Sequence, residues 1–529
     1  MSSLLHQLIE LAADRQPDAL AIKHRNASLS YAQLLDATHA LAAHIVALRI
    51  GKQERVAVFL PKQPETVAAL FGAAAAGCVF VPINPILKAQ QVEHILRDCA
   101  VSMLITSSDR LAGLAEGLLR CPHLRHILLV GESAEGPPPL PQLRITRWRE
   151  MLTSGARHRP HRVIDIDVAS IFYTSGSTGK PKGVVLSHRN MVTGAHSVAQ
   201  YLENHPSDRL LAVLPLSFDY GFSQLSTAFH VGASAVLMDH LFARDVVDTV
   251  AREEITGLAG VPPLWAQVAD LSWPDAAKQS LRYITNSGGA MPAATLAKLR
   301  ASLPQTRPYL MYGLTEAFRS TFLAPEEIDK RPGSMGKAIP NAEILVVRPD
   351  GTLCAPNEPG ELVHRGSLVA LGYWNDPEKT AERYKPAPKG KSELQLTEMA
   401  VWSGDTVKTD EDGFLYFVGR RDEMIKTSGY RVSPTEVEEV VTATGLVTDA
   451  IAVGITHPTL GQSIAVVVVA AHDKSRDPRA IIEACKQQLP AYMVPAHIEY
   501  RDSVPRNQNS KYDRLKVTQE LEQLFGGSK

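Results

Sequence analysis

Short apolar segments alternate with helix-length segments along the chain up to roughly residue 400. Five of the apolar segments, all rich in β-branched, aromatic or leucine residues, lie at 55–60, 102–106, 126–130, 169–173 and 211–214. Most are followed by a stretch long enough for one helix, which is typical of strands joined by crossover helices. The alternation predicts an α/β fold built from stacked layers with largely parallel sheets.

Residues 67–87 carry no charge and are long enough to be tested as a membrane span. Gly72, Gly77, Pro82 and Pro85 interrupt the segment, and its composition changes from alanine-rich to β-branched and aromatic. This change favours a buried helix followed by a buried strand. We therefore expect no stable membrane insertion.

Closely spaced strands and turns replace the alternation between Gly333 and Gly372. Asp350 and Gly351 form a dipeptide that is typical of hairpin turns. The region predicts a small β-barrel-like subdomain within the large domain.

A shorter α+β unit follows this region. Ser433 before Pro434 indicates a helix start, because Ser is a good N-cap and Pro suits the first helical position. Further strands and a helix are predicted near 450–453, 464–471, 478–489 and 497–501. We predict a large N-terminal domain over residues 1–418 and a small, mobile C-terminal domain over residues 419–529.

The composition narrows the class of protein. A chain of 529 residues exceeds one compact core, and 45% hydrophobic with 21% charged residues is ordinary for a globular protein. The 55 basic and 56 acidic side chains give a net charge of -1, which argues against a general nucleic-acid-binding surface. The 5 cysteines form no CxxC pair, which fits the reducing cytoplasm.

Hydroxyls, glycines and lysines crowd the segment that follows the strand ending at Tyr173. The hydroxyls belong to Thr174, Ser175, Ser177 and Thr178. Glycines let backbone N–H groups converge on an anion, and hydroxyl and ammonium groups add donors. The segment can be an ordinary polar surface loop or a phosphate-binding loop. It is not a Walker loop, because Pro181 stands where Ser or Thr should follow the lysine, and this disfavours a simple ATPase or kinase.

Residues 173–183 resemble the nucleotide motif of the adenylate-forming superfamily, the AMP-dependent synthetases and ligases. This superfamily contains acyl-CoA synthetases, luciferases and the amino-acid-activating domains of peptide synthetases. Six further segments resemble its motifs in the family's own order: 76–84, 286–290, 311–316, 403–405, 417–426 and 505–514. The resemblance spans nearly the whole chain.

The resemblance implies a role for individual residues. Thr315 would contact the α-phosphate, Glu316 would hold Mg²⁺, and Lys511 would be the catalytic lysine of adenylation. The nucleotide-binding residues would be Thr174, Ser175, Gly176, Ser177, Thr178, Gly179, Lys182, Ser287, Gly288, Gly289, Ala290, Tyr312, Gly313, Asp405, Phe417 and Arg420. Asp422 would be the hinge between the domains, and Gly429 would line the pantetheine tunnel. The sequence departs from the family at Ser510, usually Gly, and at Tyr512, usually Ile or Val.

The substrate pocket is indicated by residues 214–221. Fatty and aromatic acyl-CoA ligases usually have His where Phe218 stands, whereas Phe218 followed by Asp219 resembles the amino-acid-activating domains, whose Asp binds the α-ammonium group. A buried carboxylate needs a cationic partner. Arg319 could bind an acid or carbonyl group of the substrate, or it could neutralise the charge of Asp219. In the second case the substrate need not be an amino acid. The expected pocket residues are Phe218, Asp219, Tyr220, Ser223, Gly260, Ser287, Met311, Arg319 and Ser320.

The amino-acid sequences of residues 217–225, 339–345 and 370–377 resemble those of a bacterial branch of exosortase-associated acyl-CoA ligases and free-standing aminoacyl-carrier-protein ligases. Only fifteen residues follow Arg514, too few for a carrier domain, so the thiol acceptor would be a separate acyl or peptidyl carrier protein or free CoA. The resemblance implies an ATP- and Mg²⁺-dependent ligase that converts an amino acid to its acyl-AMP and then to a carrier-bound thioester. The alternative is an acyl-CoA ligase acting on a non-amino acid.

Two other classes of function share parts of this pattern. A luciferase-like oxidase would keep the same adenylation motifs. A non-catalytic paralogue would be expected to lack Lys511, Glu316 or Asp405, and all three are present.

Overall fold

The computed structural model describes residues 2–131, 140–153, 155, 158–174, 181–239, 241–388, 397–420, 425–427, 430–432, 434–457, 460–472, 474, 476–489, 491–508 and 511–525. The α-helices in these ranges are α1 (Gln7–Arg15), α2 (Tyr31–Ala47), α3 (Pro64–Ala75), α4 (Ala89–Asp98), α5 (Ser108–Leu118), α6 (Trp148–Thr153), α7 (His188–Tyr201), α8 (Asp219–Val231), α9 (Ala243–Arg252), α10 (Pro262–Val268), α11 (Asp275–Ser280), α12 (Ala293–Ser302), α13 (Pro377–Arg383), α14 (Pro434–Ala443), α15 (Pro478–Gln488) and α16 (Arg514–Phe525). Short 3₁₀ helices lie at Thr315–Ala317, Pro325–Glu327 and Ala491–Met493.

The strands are β1 (Leu20–His24), β2 (Ala27–Ser30), β3 (Arg55–Phe59), β4 (Val79–Pro82), β5 (Val101–Ser107), β6 (His126–Val130), β7 (Arg144–Arg147), β8 (Val168–Thr174), β9 (Lys182–Ser187), β10 (Arg209–Ala212), β11 (Ser234–Leu237), β12 (Gly257–Gly260), β13 (Tyr283–Asn286), β14 (Arg307–Tyr312), β15 (Thr321–Leu323), β16 (Ser334–Ala338), β17 (Ala342–Val347), β18 (Gly360–Gly366), β19 (Gly372–Tyr373), β20 (Tyr384–Pro386), β21 (Met399–Thr409), β22 (Leu415–Arg420), β23 (Ile425–Thr427), β24 (Tyr430–Val432), β25 (Val447–His457), β26 (Gly461–Ala470) and β27 (His497–Tyr500).

Within the described ranges these strands form three sheets, two in the N-terminal part and a third, of order β24-β23-β26-β25 with β27 paired to β26, in the C-terminal part. The first has the order β17-β18-β21-β22-β16-β15-β14-β13-β12-β10-β11-β1-β2, with β20 paired to β21, and it is parallel from β14 to β1. The second has the order β19-β9-β8-β4-β3-β5-β6-β7 and is parallel from β8 to β7. The predicted α/β fold with a large N-terminal domain, largely parallel sheets and a smaller C-terminal domain is confirmed.

The small β subdomain is an extension of the first sheet. β17, β18, β21 and β22 run antiparallel to their neighbours, and β22 joins β16. Val347 and Leu353 pair across the predicted turn at Asp350 and Gly351. The described strands follow an open path rather than a closed ring, so the expected barrel-like subdomain is wrong in this respect: the sheet does not close.

An aromatic cluster fixes α8 between the two large sheets. Phe222 of α8 stacks on Phe80 of β4 at 5.3 Å and on Phe71 of α3 at 5.6 Å, measured between ring centroids. Gly221 lets the helix approach the preceding loop, because a Cβ there would collide with the carbonyl oxygen of Pro215. The first residue of this helix, Asp219, is thereby held at a fixed depth.

The small domain has a core on each side of its sheet. Val466 and Val468 of β26 face α14 and α15, whereas Ala465 and Val467 face α16. This two-residue alternation is what a strand buried on both faces requires. The domain boundary between residues 418 and 419 stays a prediction; β22 continues to Arg420.

The uncharged segment 67–87 is folded as predicted, with α3 followed by β4 and both elements buried. No helix in the described part of the chain is long and apolar enough to cross a membrane.

Candidate active site

Many of the predicted site residues lie at or after the ends of three neighbouring parallel strands. β12 ends at Gly260, β13 ends just before Ser287, and β14 ends at Tyr312. The register pairs Gly260 with Asn286 and Asn286 with Leu310. The turns after these strands therefore lie side by side, where α/β sheets usually bind ligands.

Thr174 and Lys182 flank the predicted phosphate loop. β8 ends at Thr174, β9 begins at Lys182, and the two residues pair across an antiparallel ladder. Thr174 Oγ1 is buried and has no hydrogen-bond partner among the described residues. An oxygen of a bound anion would relieve this, since an unpaired buried hydroxyl costs about 1–3 kcal/mol. The predicted loop residues Ser175, Gly176, Ser177, Thr178 and Gly179 lie outside the described residues.

Glu316 lies beside Lys182 and Tyr373. The Tyr373 hydroxyl donates to Glu316 Oε1 over 2.6 Å, and Lys182 Nζ lies 3.0 Å from the Tyr373 oxygen and 3.9 Å from Glu316 Oε1. Burial raises the pKa of the Glu316 carboxyl, but the Lys182 charge and the Tyr373 hydrogen bond outweigh it and hold that pKa below its usual value. Glu316 is therefore an ionised carboxylate beside Lys182, which follows the predicted phosphate loop.

Asp405, Tyr312 and Phe417 come together from three strands. The Tyr312 hydroxyl donates to Asp405 Oδ2, and the Asp405 backbone N–H donates to Ser403 Oγ over 3.0 Å. The rings of Tyr312 and Phe417 are 6.5 Å apart between centroids. The backbone of Arg420 pairs with Asp405 in the neighbouring strand. An oriented carboxylate beside an aromatic pair can accept hydrogen bonds from sugar hydroxyls.

The segment predicted to lie against adenine is a tight turn. Gly288 has a φ of 82°, in the left-handed region that favours glycine. Asn286 Nδ2 donates to the Gly289 carbonyl over 2.9 Å. Ser287 is buried, whereas Ala290 is exposed, so the turn leads from the core to the surface.

A buried ion pair lies at the N-terminus of α8. Arg319 Nη1 is 3.5 Å from Asp219 Oδ2, and Thr315 Oγ1 donates to Asp219 Oδ1 over 3.0 Å. Burial raises the pKa of the Asp219 carboxyl, and the charges of Arg319 and Lys511 and the Thr315 hydrogen bond act against that rise. Arg319 thus makes the neutralising contact that the sequence left as one of two interpretations. Gly313 lies under the same turn, since a Cβ there would be 3.4 Å from the Arg319 Cα.

The turn that presents Arg319 has a strained backbone. Phe318 has a φ of 56°, which is uncommon for a bulky residue. Its fully buried ring fills the space beside Gly194, where any Cβ would overlap it. This packing holds the strained turn and so aims Arg319 at Asp219.

Tyr220 links the ion pair to the other wall of the predicted pocket. The Arg319 guanidinium lies 4.4 Å from the centroid of the Tyr220 ring, and the Tyr220 hydroxyl is 2.6 Å from Thr285 Oγ1. The Trp265 ring covers Gly260, where a Cβ would come within 2.6 Å of the indole. The Trp265 ring therefore fills the space that a side chain at Gly260 would need.

Three other predicted pocket residues have defined surroundings. The Tyr201 hydroxyl donates to Met311 Sδ over 2.9 Å. Ser320 Oγ lies 3.0 Å from His364 Nδ1, and burial lowers the pKa of His364 to about 3, so this imidazole is neutral. Phe218 is the partly buried N-cap residue of α8.

Lys511 is held in a hairpin of the small domain. The Asn507 N–H donates to the Lys511 carbonyl over 2.8 Å, and the Lys511 N–H donates to Asn507 Oδ1 over 3.1 Å. Tyr512, which departs from the family pattern, hydrogen-bonds Asp449 and lies under Arg506, whose guanidinium carbon is 4.5 Å from the ring centroid. Tyr512 therefore anchors the segment that carries the lysine.

The Lys511 charge acts on Asp219, which belongs to the large domain. Asp422 and Gly429 lie outside the described residues, as does the Arg420 side chain, and their roles stay predictions.

Two residues with clear contacts at the site have no role in the sequence interpretation. Tyr373 lies in a segment that the sequence marks only as typical of a bacterial branch, and Trp265 follows a strand with no motif. A tyrosine hydroxyl near a motif carboxylate has no signature in sequence, because its partner is 57 residues away.

Lys62 is a third such residue and supports the loop before α8. It is buried, and its Nζ donates to the carbonyls of Val213 and Leu214 over 2.6 Å and 3.2 Å and lies 3.3 Å from Asp239 Oδ1. Burial lowers the pKa of Lys62 to about 8, from 10.5 for a free lysine.

This shift predicts a dependence of stability on pH. Between the two pKa values the unfolded chain binds more protons than the folded protein, so the free energy of unfolding rises with pH there; below about pH 8 Lys62 is protonated in both states and the dependence disappears. From pH 7 to pH 9, the unfolding free energy should rise by about 1 kcal/mol more in the parent than in Lys62→Met. Urea unfolding at both pH values checks this, with exposed Lys298 changed to Met as the control. Equal pH dependence in parent and Lys62→Met would contradict it.

The structure thus describes both ends of the predicted phosphate loop, an ionised Glu316, an oriented Asp405 carboxylate and Lys511 of the small domain. The comparisons with known proteins identify the family. The sequence profile of the AMP-binding enzymes matches residues 9–374, and that of the AMP-binding enzyme C-terminal domain matches residues 436–511. The chain belongs to the AMP-binding enzyme family.

Several relatives cover nearly the whole chain. It is 29% identical to the L-proline–[L-prolyl-carrier protein] ligase of Pseudomonas fluorescens, over 98% of this chain and 99% of that protein. It is 30% identical to the long-chain-fatty-acid–CoA ligase of Salmonella typhimurium, over 98% of this chain and 94% of that protein. Tyrocidine synthase 3 of Brevibacillus parabrevis is 29% identical over 97% of this chain, but the chain spans only 8% of that synthase.

The fold is also that of a solved ligase. The o-succinylbenzoate CoA synthetase of Bacillus subtilis, solved with its acyl-adenylate intermediate, has a TM-score of 0.82 and 25% identity, over 96% of this chain and 97% of that one.

Proposed function

We propose that this protein uses ATP to convert a carboxylic acid to its acyl adenylate, with release of pyrophosphate, and then forms a thioester with a pantetheine thiol. The observation that carries the proposal is the ionised Glu316 carboxylate, which the Tyr373 hydroxyl and Lys182 hold at the end of the predicted phosphate loop. The adjacent Thr315 hydrogen-bonds Asp219, so the predicted nucleotide and acid sites adjoin at this turn.

Adenylation brings two anions together. A carboxylate oxygen of the acid attacks the α-phosphorus, the bond to the bridging oxygen breaks, and pyrophosphate leaves with the electron pair. Lys511 and Lys182 would offset the negative charge that builds up, and the hydroxyls of Thr174 and Thr315 would donate hydrogen bonds to phosphate oxygens. Such a reaction depends on positioning and charge stabilisation more than on proton transfer.

Glu316 is suited to hold Mg²⁺. The cation prefers one or two carboxylates together with substrate phosphates, and Glu316 is ionised and 14% exposed beside the phosphate loop. When bound, Mg²⁺ would neutralise charge on the polyphosphate. Tyr373 and Lys182 orient the carboxylate for this role.

Two classes of acid substrate and two thiol acceptors are compatible with this reaction. Asp219 and the similarity to the prolyl-carrier protein ligase support an amino acid and a carrier protein. The ion pair supports the alternative, because Arg319 already supplies the cation that Asp219 needs. We therefore favour a non-amino acid, with free CoA or a separate carrier protein as the acceptor.

The reaction is tested by ATP–pyrophosphate exchange with panels of fatty, aromatic and amino acids. We expect exchange that depends on the acid and on Mg²⁺. Absence of acid-dependent exchange across all three panels would contradict the proposal. Addition of CoA or of a phosphopantetheinylated carrier protein to the best acid identifies the acceptor.

Tyr373→Phe should weaken the response to Mg²⁺. Loss of the hydroxyl frees the Glu316 carboxylate to rotate, and loss of such an outer hydrogen bond typically costs about 10-fold in metal affinity. The measurement is the exchange rate as a function of Mg²⁺ concentration.

Tyr384→Phe is the matched control. The ring of Tyr384 packs on Tyr373, 5.7 Å away, but its buried hydroxyl has no hydrogen-bond partner among the described residues. An unchanged Mg²⁺ requirement in Tyr373→Phe, or an equal change in both variants, would show that the hydroxyl does not position Glu316.

A further inference from the structure

Three buried side chains around Tyr220 present hydrogen-bonding groups without a protein partner. In the described part of the chain, Arg319 Nε and Nη2, Trp265 Nε1 and Ser223 Oγ all lack one. Arg319 is 2% exposed, and Trp265 and Ser223 are 0% exposed. Buried polar groups are nearly always hydrogen-bonded, so several unpaired ones in one region indicate a site for a ligand that would pair with them.

Each of the three side chains is linked to Tyr220, and we call this set the pocket wall. Arg319 lies on the Tyr220 ring, and Trp265 covers Gly260, whose backbone adjoins the Tyr220 hydroxyl. Ser223 is four residues after Asp219 on α8, which puts it on the same face of the helix, about 6 Å further along the axis.

The reacting carboxylate would lie near Thr315 and Lys511, at the Asp219 end of this wall. The unpaired Arg319 donors lie at this end, beside Asp219, and Ser223 lies further along α8, where the rest of the acid would extend. We propose that the pocket selects an acid with a neutral oxygen acceptor, a carbonyl or hydroxyl, a few carbons from the carboxyl group. This inference rests on the proposed function and names the substrate class of the same site.

The chemistry of the wall distinguishes this class from two others. An α-ammonium group has only N–H donors, so it would leave the Arg319 and Trp265 donors unpaired. A second carboxylate would add a buried negative charge beside Asp219, whose charge Arg319 already balances. A carbonyl or hydroxyl oxygen accepts from Arg319 or Trp265 without changing the charge.

The test compares acids that differ only in the acceptor. ATP–pyrophosphate exchange is measured with hexanoate and its oxo and hydroxy derivatives, with benzoate and its para-acetyl and para-hydroxy derivatives, and with α-amino acids. We expect kcat/KM to favour the best oxygen-bearing acid over its parent by at least about 10-fold, because a site built for a hydrogen bond rejects analogues without it.

Conservative variants show whether these donors cause the preference. Trp265→Phe keeps an aromatic ring but removes the N–H together with the five-membered ring of the indole, and Ser223→Ala removes the hydroxyl. Each should reduce the preference about 10-fold or abolish it, mainly by loss of activity on the oxygen-bearing acid. The matched controls are Trp273→Phe and Ser226→Ala, whose polar groups already bond to backbone carbonyls at 3.3 Å.

The results separate the two proposals. Exchange with no acid would contradict the proposed function. Exchange that is equal for parent and oxygen-bearing acids, or best with α-amino acids, would overturn the substrate class alone. So would a preference that survives in both Trp265→Phe and Ser223→Ala.

Discussion

Replacing Lys511 with alanine is expected to lower acid-dependent ATP–pyrophosphate exchange by about 10²–10³-fold, the usual loss when one stabilising donor is removed from a developing anion. Lys511 is the cation that the small domain contributes near Asp219 and Thr315. Without it, the acid and the polyphosphate meet with one positive charge fewer.

The loss should be confined to adenylation. The measurement therefore includes thioester formation from chemically prepared acyl adenylate, made with the best acid of the exchange panel; this rate should be within a few-fold of the parent's. Lys516→Ala is the control, since this lysine of the same domain is 60% exposed. Exchange at the parent rate in Lys511→Ala would remove the lysine from the mechanism, and equal loss in both half-reactions would indicate a folding defect.

The fold could be predicted largely because its signals are local. The segment predicted at 126–130 is β6 (His126–Val130), since a compact apolar run bounded by polar residues marks both ends. The segment predicted at 211–214 begins two residues late and ends two residues late relative to β10 (Arg209–Ala212). Its last two residues, Val213 and Leu214, are apolar but lie in a loop, where their carbonyls accept hydrogen bonds from Lys62. Barrel closure depends on pairing between distant strands, which no local pattern encodes.

The candidate site divides in the same way. The order of the sequence motifs alone predicts Glu316, Asp405 and Lys511 as site residues. The partner of Asp219 could not be chosen, because Arg319 is 100 positions away and only the strained turn at Phe318 sets its direction. Trp265 was missed for a related reason, since its importance lies in covering a glycine on a neighbouring strand.

The ion pair of Asp219 and Arg319 should show strong thermodynamic coupling. Asp219→Asn or Arg319→Met alone leaves one buried charge without its partner, and each should lower the free energy of unfolding by about 3–5 kcal/mol. The double variant has neither charge, and the introduced asparagine amide would retain a hydrogen bond to Thr315. It should therefore be within about 1–2 kcal/mol of the parent, far less destabilised than the sum of the single changes.

Urea unfolding followed by tryptophan fluorescence measures all four proteins, since Trp265 lies in the same wall. The matched control is the surface pair Arg300 and Asp329, 2.6 Å apart with side chains 43% and 71% exposed. Its double-mutant cycle should give less than about 1 kcal/mol of coupling, because water screens exposed charges. Additive losses at Asp219 and Arg319 would mean that the two charges do not depend on each other. Asp219 would then be open to a substrate cation, and the amino-acid hypothesis would regain its argument.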